Sequence, residues 1–173
     1  MALIFQYGSN MLSERINSIE RLRGDACPVG VVYTAEDYEI EFTVWSHRNQ
    51  CATANIVRGS GRKIWGILYQ IPDYLIKRET SGERKSLDAI VGECQNYRRT
   101  LIATRYPKEG PVEGDVITYL AKNRRSGIKT SLEYARHIFR GLREHNIPQD
   151  YIVYIKSQVV ANNPSLKNDV EGL

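Results

Sequence analysis

Nowhere in the 173-residue sequence do apolar residues run on for the ~18 positions that a membrane-spanning helix needs, so the chain is not expected to cross a bilayer. The first residues, Met1-Ala2-Leu3-Ile4-Phe5-Gln6-Tyr7, carry neither a basic leader nor a small-residue cleavage site, which argues against a signal peptide and for a soluble, cytoplasmic protein. Cysteine is scarce. Cys27, Cys51 and Cys94 are odd in number and lack C-x-x-C spacing, which excludes a disulfide framework and fits reduced thiols. His47, His137 and His145 have no metal-ligand spacing, so neither a metal nor any other cofactor is expected. There is no internal repeat and no composition shift that would mark a linker. One domain over residues 1–160 is expected, followed by a non-periodic tail, 161–173, that frays.

What is present is an ordinary globular balance, 42% hydrophobic and 25% charged, in a chain long enough to bury a core without staples. The net charge of +4 and pI of about 9.0 raise nucleic acid as a partner, with Lys122, Arg124 and Arg125 as the densest basic patch. No stacking motif, zinc finger or helix-turn-helix pattern accompanies that patch, so it reads as a solvated loop.

Leu3–Tyr7 reads as a short buried strand and Gly8 as a turn. Leu12, Ile16, Ile19 and Leu22 recur at helical spacing over Met11–Leu22. From Tyr38, apolar Tyr38, Ile40, Phe42 and Val44 alternate with Glu39, Glu41 and Thr43, the pattern of a half-buried strand. Further strands are expected at 51–57, 63–71, 98–105 and 116–120, with a charged loop or lid across 77–85. Thr130 with Glu133 forms a capping-box pattern before a helix over 131–144, and Pro148 suits the first turn of a second helix through Ile155.

The turn Tyr7-Gly8-Ser9-Asn10-Met11 draws attention because the amides of Ser9, Asn10 and Met11, at the start of a helix, would point outward unpaired, where a carboxylate or phosphate can accept them. The alternative is that Ser9 or Asn10 simply caps the helix. Other marks follow in order: Trp45 before Cys51-Ala52-Thr53-Ala54-Asn55-Ile56; Ile64-Trp65-Gly66-Ile67-Leu68-Tyr69; Leu87-Asp88-Ala89-Ile90-Val91-Gly92 with Tyr97-Arg98-Arg99; Thr118-Tyr119; and Ser131 through Tyr134, Gly141, Ile147-Pro148 and Tyr151-Ile152. Together these resemble the γ-glutamyl cyclotransferase-like proteins across nearly the whole chain.

The resemblance implies an α+β fold, a small mixed β-barrel with flanking helices and one pocket at its mouth. It also implies a chemistry in which the α-amine of a γ-glutamyl compound attacks its own γ-carbonyl and leaves 5-oxoproline. Tyr7, Tyr97, Tyr119 and Tyr134 match family positions that line or close the pocket. The family's base is a glutamate at the fifth position of its Leu-Asp-x-x-Glu-Gly motif, and this chain has Val91 there. Valine accepts no proton, and a general base typically contributes about 10² to 10⁴ in rate.

Two readings therefore stand. In the first, the chain binds a small anionic molecule, a γ-glutamyl compound or a phosphorylated metabolite, without converting it. In the second, it remains an active cyclotransferase with Glu93, two residues past Val91, or Glu79, in a partial copy of the motif, as base. For both carboxylates a solvated surface position is the plainer account.

Overall fold

The computed structural model describes residues 1–59, 61–77, 84–93 and 95–173. In chain order the elements are β1 (Ala2–Gln6), α1 (Ser13–Ile16), β2 (Cys27–Thr34), β3 (Tyr38–Ser46), β4 (Cys51–Arg58), β5 (Trp65–Ile71), α2 (Leu87–Val91), β6 (Tyr97–Leu101), β7 (Thr104–Tyr106), β8 (Gly110–Pro111), β9 (Val116–Ala121), α3 (Leu132–Glu144), α4 (Gln149–Asn162) and α5 (Lys167–Glu171). The architecture is α+β. A curled, seven-stranded half-barrel sheet runs β6-β9-β1-β5-β2-β7-β8, a separate β3–β4 hairpin stands beside it, and helices flank both.

The sheet is mixed because β1 pairs antiparallel with β5 on one side and parallel with β9 on the other. That central place makes β1 the scaffold for the turn that follows it. The expected alternation in β3 is realised: Tyr38, Ile40, Phe42 and Val44 are buried while Glu39 faces solvent. β4 is buried on both faces from Cys51 to Ile56. Its polar side chains are satisfied there by protein partners. Thr53 donates to the Val44 carbonyl (3.0 Å), and Asn55 accepts from the Ala121 amide (2.7 Å) and so ties the hairpin to β9.

Several sequence expectations shift. The apolar spacing over Met11–Leu22 does not make one helix; a 3₁₀ turn at Ser9–Met11 leads into α1, which ends at Ile16. Leu12, Ile16 and Leu22 are buried as the spacing requires, yet Ile19 is 74% exposed. The helix stops because the Asn17 side chain brackets Ala26, donating to its carbonyl and accepting from its amide, both at 2.9 Å. A loop then closes through Arg23 and Gly24, both at positive φ.

The strand expected at 98–105 is two strands. At the break the Ile102 amide donates to the Val116 carbonyl and the Ala103 carbonyl accepts from Ala35. α3 is capped by Ser131, whose hydroxyl accepts from the Tyr134 amide (3.2 Å), one residue later than the Thr130 expectation. The segment expected to fray completes α4, makes a 3₁₀ turn at Pro164–Leu166 and forms α5, with Val170 buried. Asn162 and Asn163 hold it by side-chain bonds to Ile128 and Thr130, which no periodicity would reveal. The expected lid at 77–85 falls mostly outside the described residues. Among the described residues no helix is long and apolar enough to cross a membrane.

Candidate functional site

β1 ends where the sheet opens, and the chain turns there beneath α3. Gly8 has a negative φ of −112°, so its need for glycine is one of space rather than handedness: a Cβ would lie 3.2 Å from the Tyr134 hydroxyl. The reverse side of the turn is equally tight. Gly141 of α3 faces it so closely that a Cβ would meet the Leu12 amide at 2.7 Å and Met11 at 3.0 Å. His145, at the end of α3, places Nε2 3.0 Å from the Met11 carbonyl. The turn is thus clamped from behind, and its open side faces a pocket of about 370 Å³.

Tyr7, Gly8, Ser9, Asn10, Val91, Tyr97, Tyr119 and Tyr134 all border that pocket, so the structure brings together most of the residues that the sequence singled out. Met11 does not join them. It is fully buried in the core, and its amide donates to the Gly8 carbonyl at 3.0 Å, which corrects the expectation of three outward amides. Among the described residues the Ser9 and Asn10 amides have no protein acceptor. Neither side chain caps the turn or the helix after it: Ser9 Oγ accepts from Arg15 Nε (3.2 Å) and Asn10 Oδ1 accepts from Arg21 (3.1 Å). Glu93 is not among the pocket's lining residues; it follows Gly92, the left-handed cap of α2, and bridges to Tyr97. Glu79 lies outside the described residues.

Each tyrosine hydroxyl is already engaged by the protein. Tyr7 donates to the Tyr119 carbonyl (2.6 Å), Tyr97 donates to the Ala54 carbonyl (2.7 Å), and the Tyr134 oxygen accepts from the Ala54 amide (3.1 Å). Tyr119 donates to Asp88 (2.6 Å), which also accepts from Arg99 (2.7 Å). Burial is the first cause pushing all four phenols above their ordinary value, reinforced for Tyr119 by Asp88. They are neutral at physiological pH, and they form a frame. Val91, on the last turn of α2, presents an isopropyl group to the space beside that frame.

The pocket also has a set of residues that the sequence reading missed. Arg21, Arg48 and Lys85 border it, and no aspartate or glutamate does so among the described residues. Arg21 is 8% exposed, and burial, then the charges of Arg15 and Arg48, depress it to about 10, still protonated near neutrality. Arg15, behind Ser9, is lowered chiefly by burial, with the Arg48 charge adding to it. Their signal in the sequence was weak: Arg21 sits eleven residues past Asn10, in a stretch whose apolar spacing suggested a surface helix. Among the described residues no group of three His, Cys, Asp or Glu gathers to hold a metal. The Lys122–Arg125 patch lies in the loop after β9, where Arg124 pairs with Glu41 (2.7 Å).

No family model matches the chain. A mouse protein named gamma-glutamylcyclotransferase is 26% identical over 162 residues, 90% of this chain and 77% of that protein. Its human counterpart matches with the same identity and coverage. A solved structure of a gamma-glutamyl cyclotransferase superposes with a TM-score of 0.75 at 25% identity, covering 90% of this chain and 86% of that one. A human crystal structure described as an uncharacterized protein reaches a TM-score of 0.76 at 23% identity, covering 90% of this chain and 86% of that chain, and bears on the fold alone. Similarity running over 90% of the sequence, with the same fold beneath it, supports assignment of the chain to the γ-glutamyl cyclotransferase-like proteins.

Proposed function

We propose that this protein is a non-catalytic member of its family that holds a small organic anion, a carboxylate or phosphate, in the pocket beside the Ser9–Asn10 turn. The observation that carries this reading is the charge of the lining: Arg21, Arg48 and Lys85 face the cavity, and no described carboxylate does. Arg21 is depressed first by burial and then by the charges of Arg15 and Arg48, and an anion held beside it offsets both effects. The unpaired amides of Ser9 and Asn10 add donors without further charge.

An α-ammonium group finds no counter-ion in the same lining, and Val91 offers it no base. Cyclisation of a γ-glutamyl amine requires loss of that proton before the nitrogen can attack. The relatives' names concern that reaction; the lining here favours retention of an anion without turnover.

The test is to incubate the protein with γ-glutamyl amides and dipeptides and follow 5-oxoproline beside Val91→Glu. The expected result is no product above the uncatalysed rate from the parent and measurable product from Val91→Glu. Turnover by the parent that disappears in Glu93→Gln would overturn the reading in favour of an enzyme that uses Glu93.

A further inference from the structure

Gln6, the last residue of β1, is 7% exposed, and its side-chain nitrogen is fully buried with no hydrogen-bond partner among the described residues. Such a group is uncommon in a folded protein, because a buried amide that has left water without gaining an acceptor carries its full desolvation cost. The position explains where an acceptor would come from. Ile4 pairs with Ile117 across β1 and β9, so two residues further along both strands Gln6 and Tyr119 share one face of the sheet. That face carries Tyr119 to Asp88 of α2, and both Gln6 and Tyr119 border the pocket.

The neighbouring polar groups are spoken for. Asp88 is taken by Tyr119 and Arg99, the Tyr119 carbonyl by Tyr7, and the Phe5 carbonyl by Thr118 (3.0 Å). Among the described residues, the Gln6 side-chain nitrogen is thus a donor on this side of the pocket that the protein does not use.

We propose that Gln6 is the specificity-determining residue of this pocket: its side-chain amide donates to an uncharged carbonyl on the bound molecule, so the ligand class is a small organic anion that carries a ketone, amide or lactam oxygen. The inference rests on the anion-binding reading and sharpens it. The cations fix the charged end and do not distinguish one anion from another. A neutral carbonyl placed against Gln6 gains a hydrogen bond that an aliphatic group of the same size cannot make.

The experiment compares two carboxylates of matched shape, 5-oxohexanoate and 5-methylhexanoate, by calorimetric titration of the full chain, the Gln6→Leu variant and the Gln6→Met variant. The parent is expected to prefer the ketone by about five- to tenfold, the worth of one hydrogen bond, although the ketone is the less hydrophobic of the two. Both variants are expected to lose that preference. Unliganded, they should melt no lower than the parent, because the unpaired amide has been removed. A merely structural role for Gln6 would instead lower the melting temperature and leave the ratio of the two affinities unchanged. Equal binding of both acids by the parent, or a preference that survives in either variant, overturns the Gln6 assignment and leaves the anion reading standing. If the parent binds neither acid, the anion reading falls and this inference falls with it.

Discussion

The two sides of the pocket are built on opposite terms. On one, Tyr7, Tyr97, Tyr119 and Tyr134 are buried, neutral and fully engaged with backbone carbonyls, an amide or Asp88. On the other, Arg21, Arg48 and Lys85 border the cavity with no carboxylate among its described lining residues, Glu20 reaching Arg48 at 4.0 Å only from outside that lining, and among the described residues the Ser9 and Asn10 amides have no acceptor. A protein minimises its own free energy on the first side and leaves it unminimised on the second. The comparison separates residues that hold the shape from residues that wait for a ligand, two roles that a list of pocket-lining residues would merge. It also explains why the tyrosines, the feature most visible in the sequence, are not where ligand chemistry is expected to lie.

If that division is right, variants on the tyrosine side change stability and leave affinity alone. Tyr134→Ala removes a buried ring whose hydroxyl lies over Gly8 and accepts from the Ala54 amide, and should cost about 3–5 kcal/mol in denaturant unfolding. Arg99→Met leaves Asp88 buried with only Tyr119 for company. Discounted because Arg99 is itself 31% exposed, the cost is about 2–4 kcal/mol, a fall in melting temperature on the order of 5–10 °C. Tyr7→Phe strands the Tyr119 carbonyl and should cost about 1–2 kcal/mol with hexanoate affinity unchanged. An affinity loss of tenfold or more in Tyr7→Phe at unchanged stability would break the comparison.

Alkaline titration sharpens the same side. Folded-state values raised above the ordinary 10 mean that the neutral phenols contribute stability fully present below pH 10 and lost as pH climbs past it, since the unfolded chain ionises first. Phenolate absorbance from Tyr7, Tyr97, Tyr119 and Tyr134 should therefore appear together with the loss of the circular-dichroism signal. Ionisation of these residues in a still-folded protein would show that the frame is looser than its hydrogen bonds indicate. The smallest effect belongs to the other side. Arg48→Ala should stay within about 0.5 kcal/mol of the parent in stability while weakening hexanoate binding several-fold.

The strand-turn element was legible because its signals are local: a short apolar run, a glycine and two small polar residues at the end of β1. The half-buried alternation of β3 was legible for the same reason. Met11 was misassigned because helix-start logic counts amides without knowing that a 3₁₀ turn returns one of them to Gly8. β2 was missed because three of its first residues, Cys27, Pro28 and Val29, are exposed and break any alternation. The cations at the pocket were invisible for a different reason. Arg21, Arg48 and Lys85 come from three separate loops, and only the closed fold brings them together. Gln6 reads in the sequence as one more strand residue; only the fold shows its side-chain nitrogen buried without a partner among the described residues.

The central claim is that the pocket selects negative charge and has no place for a cationic amine. Calorimetric titration with hexanoate and with hexylammonium, equal in chain length and opposite in charge, tests it most directly. The account predicts saturable binding of hexanoate that weakens as salt is raised, and no saturable binding of hexylammonium. Hexylammonium binding as tightly as hexanoate would contradict it.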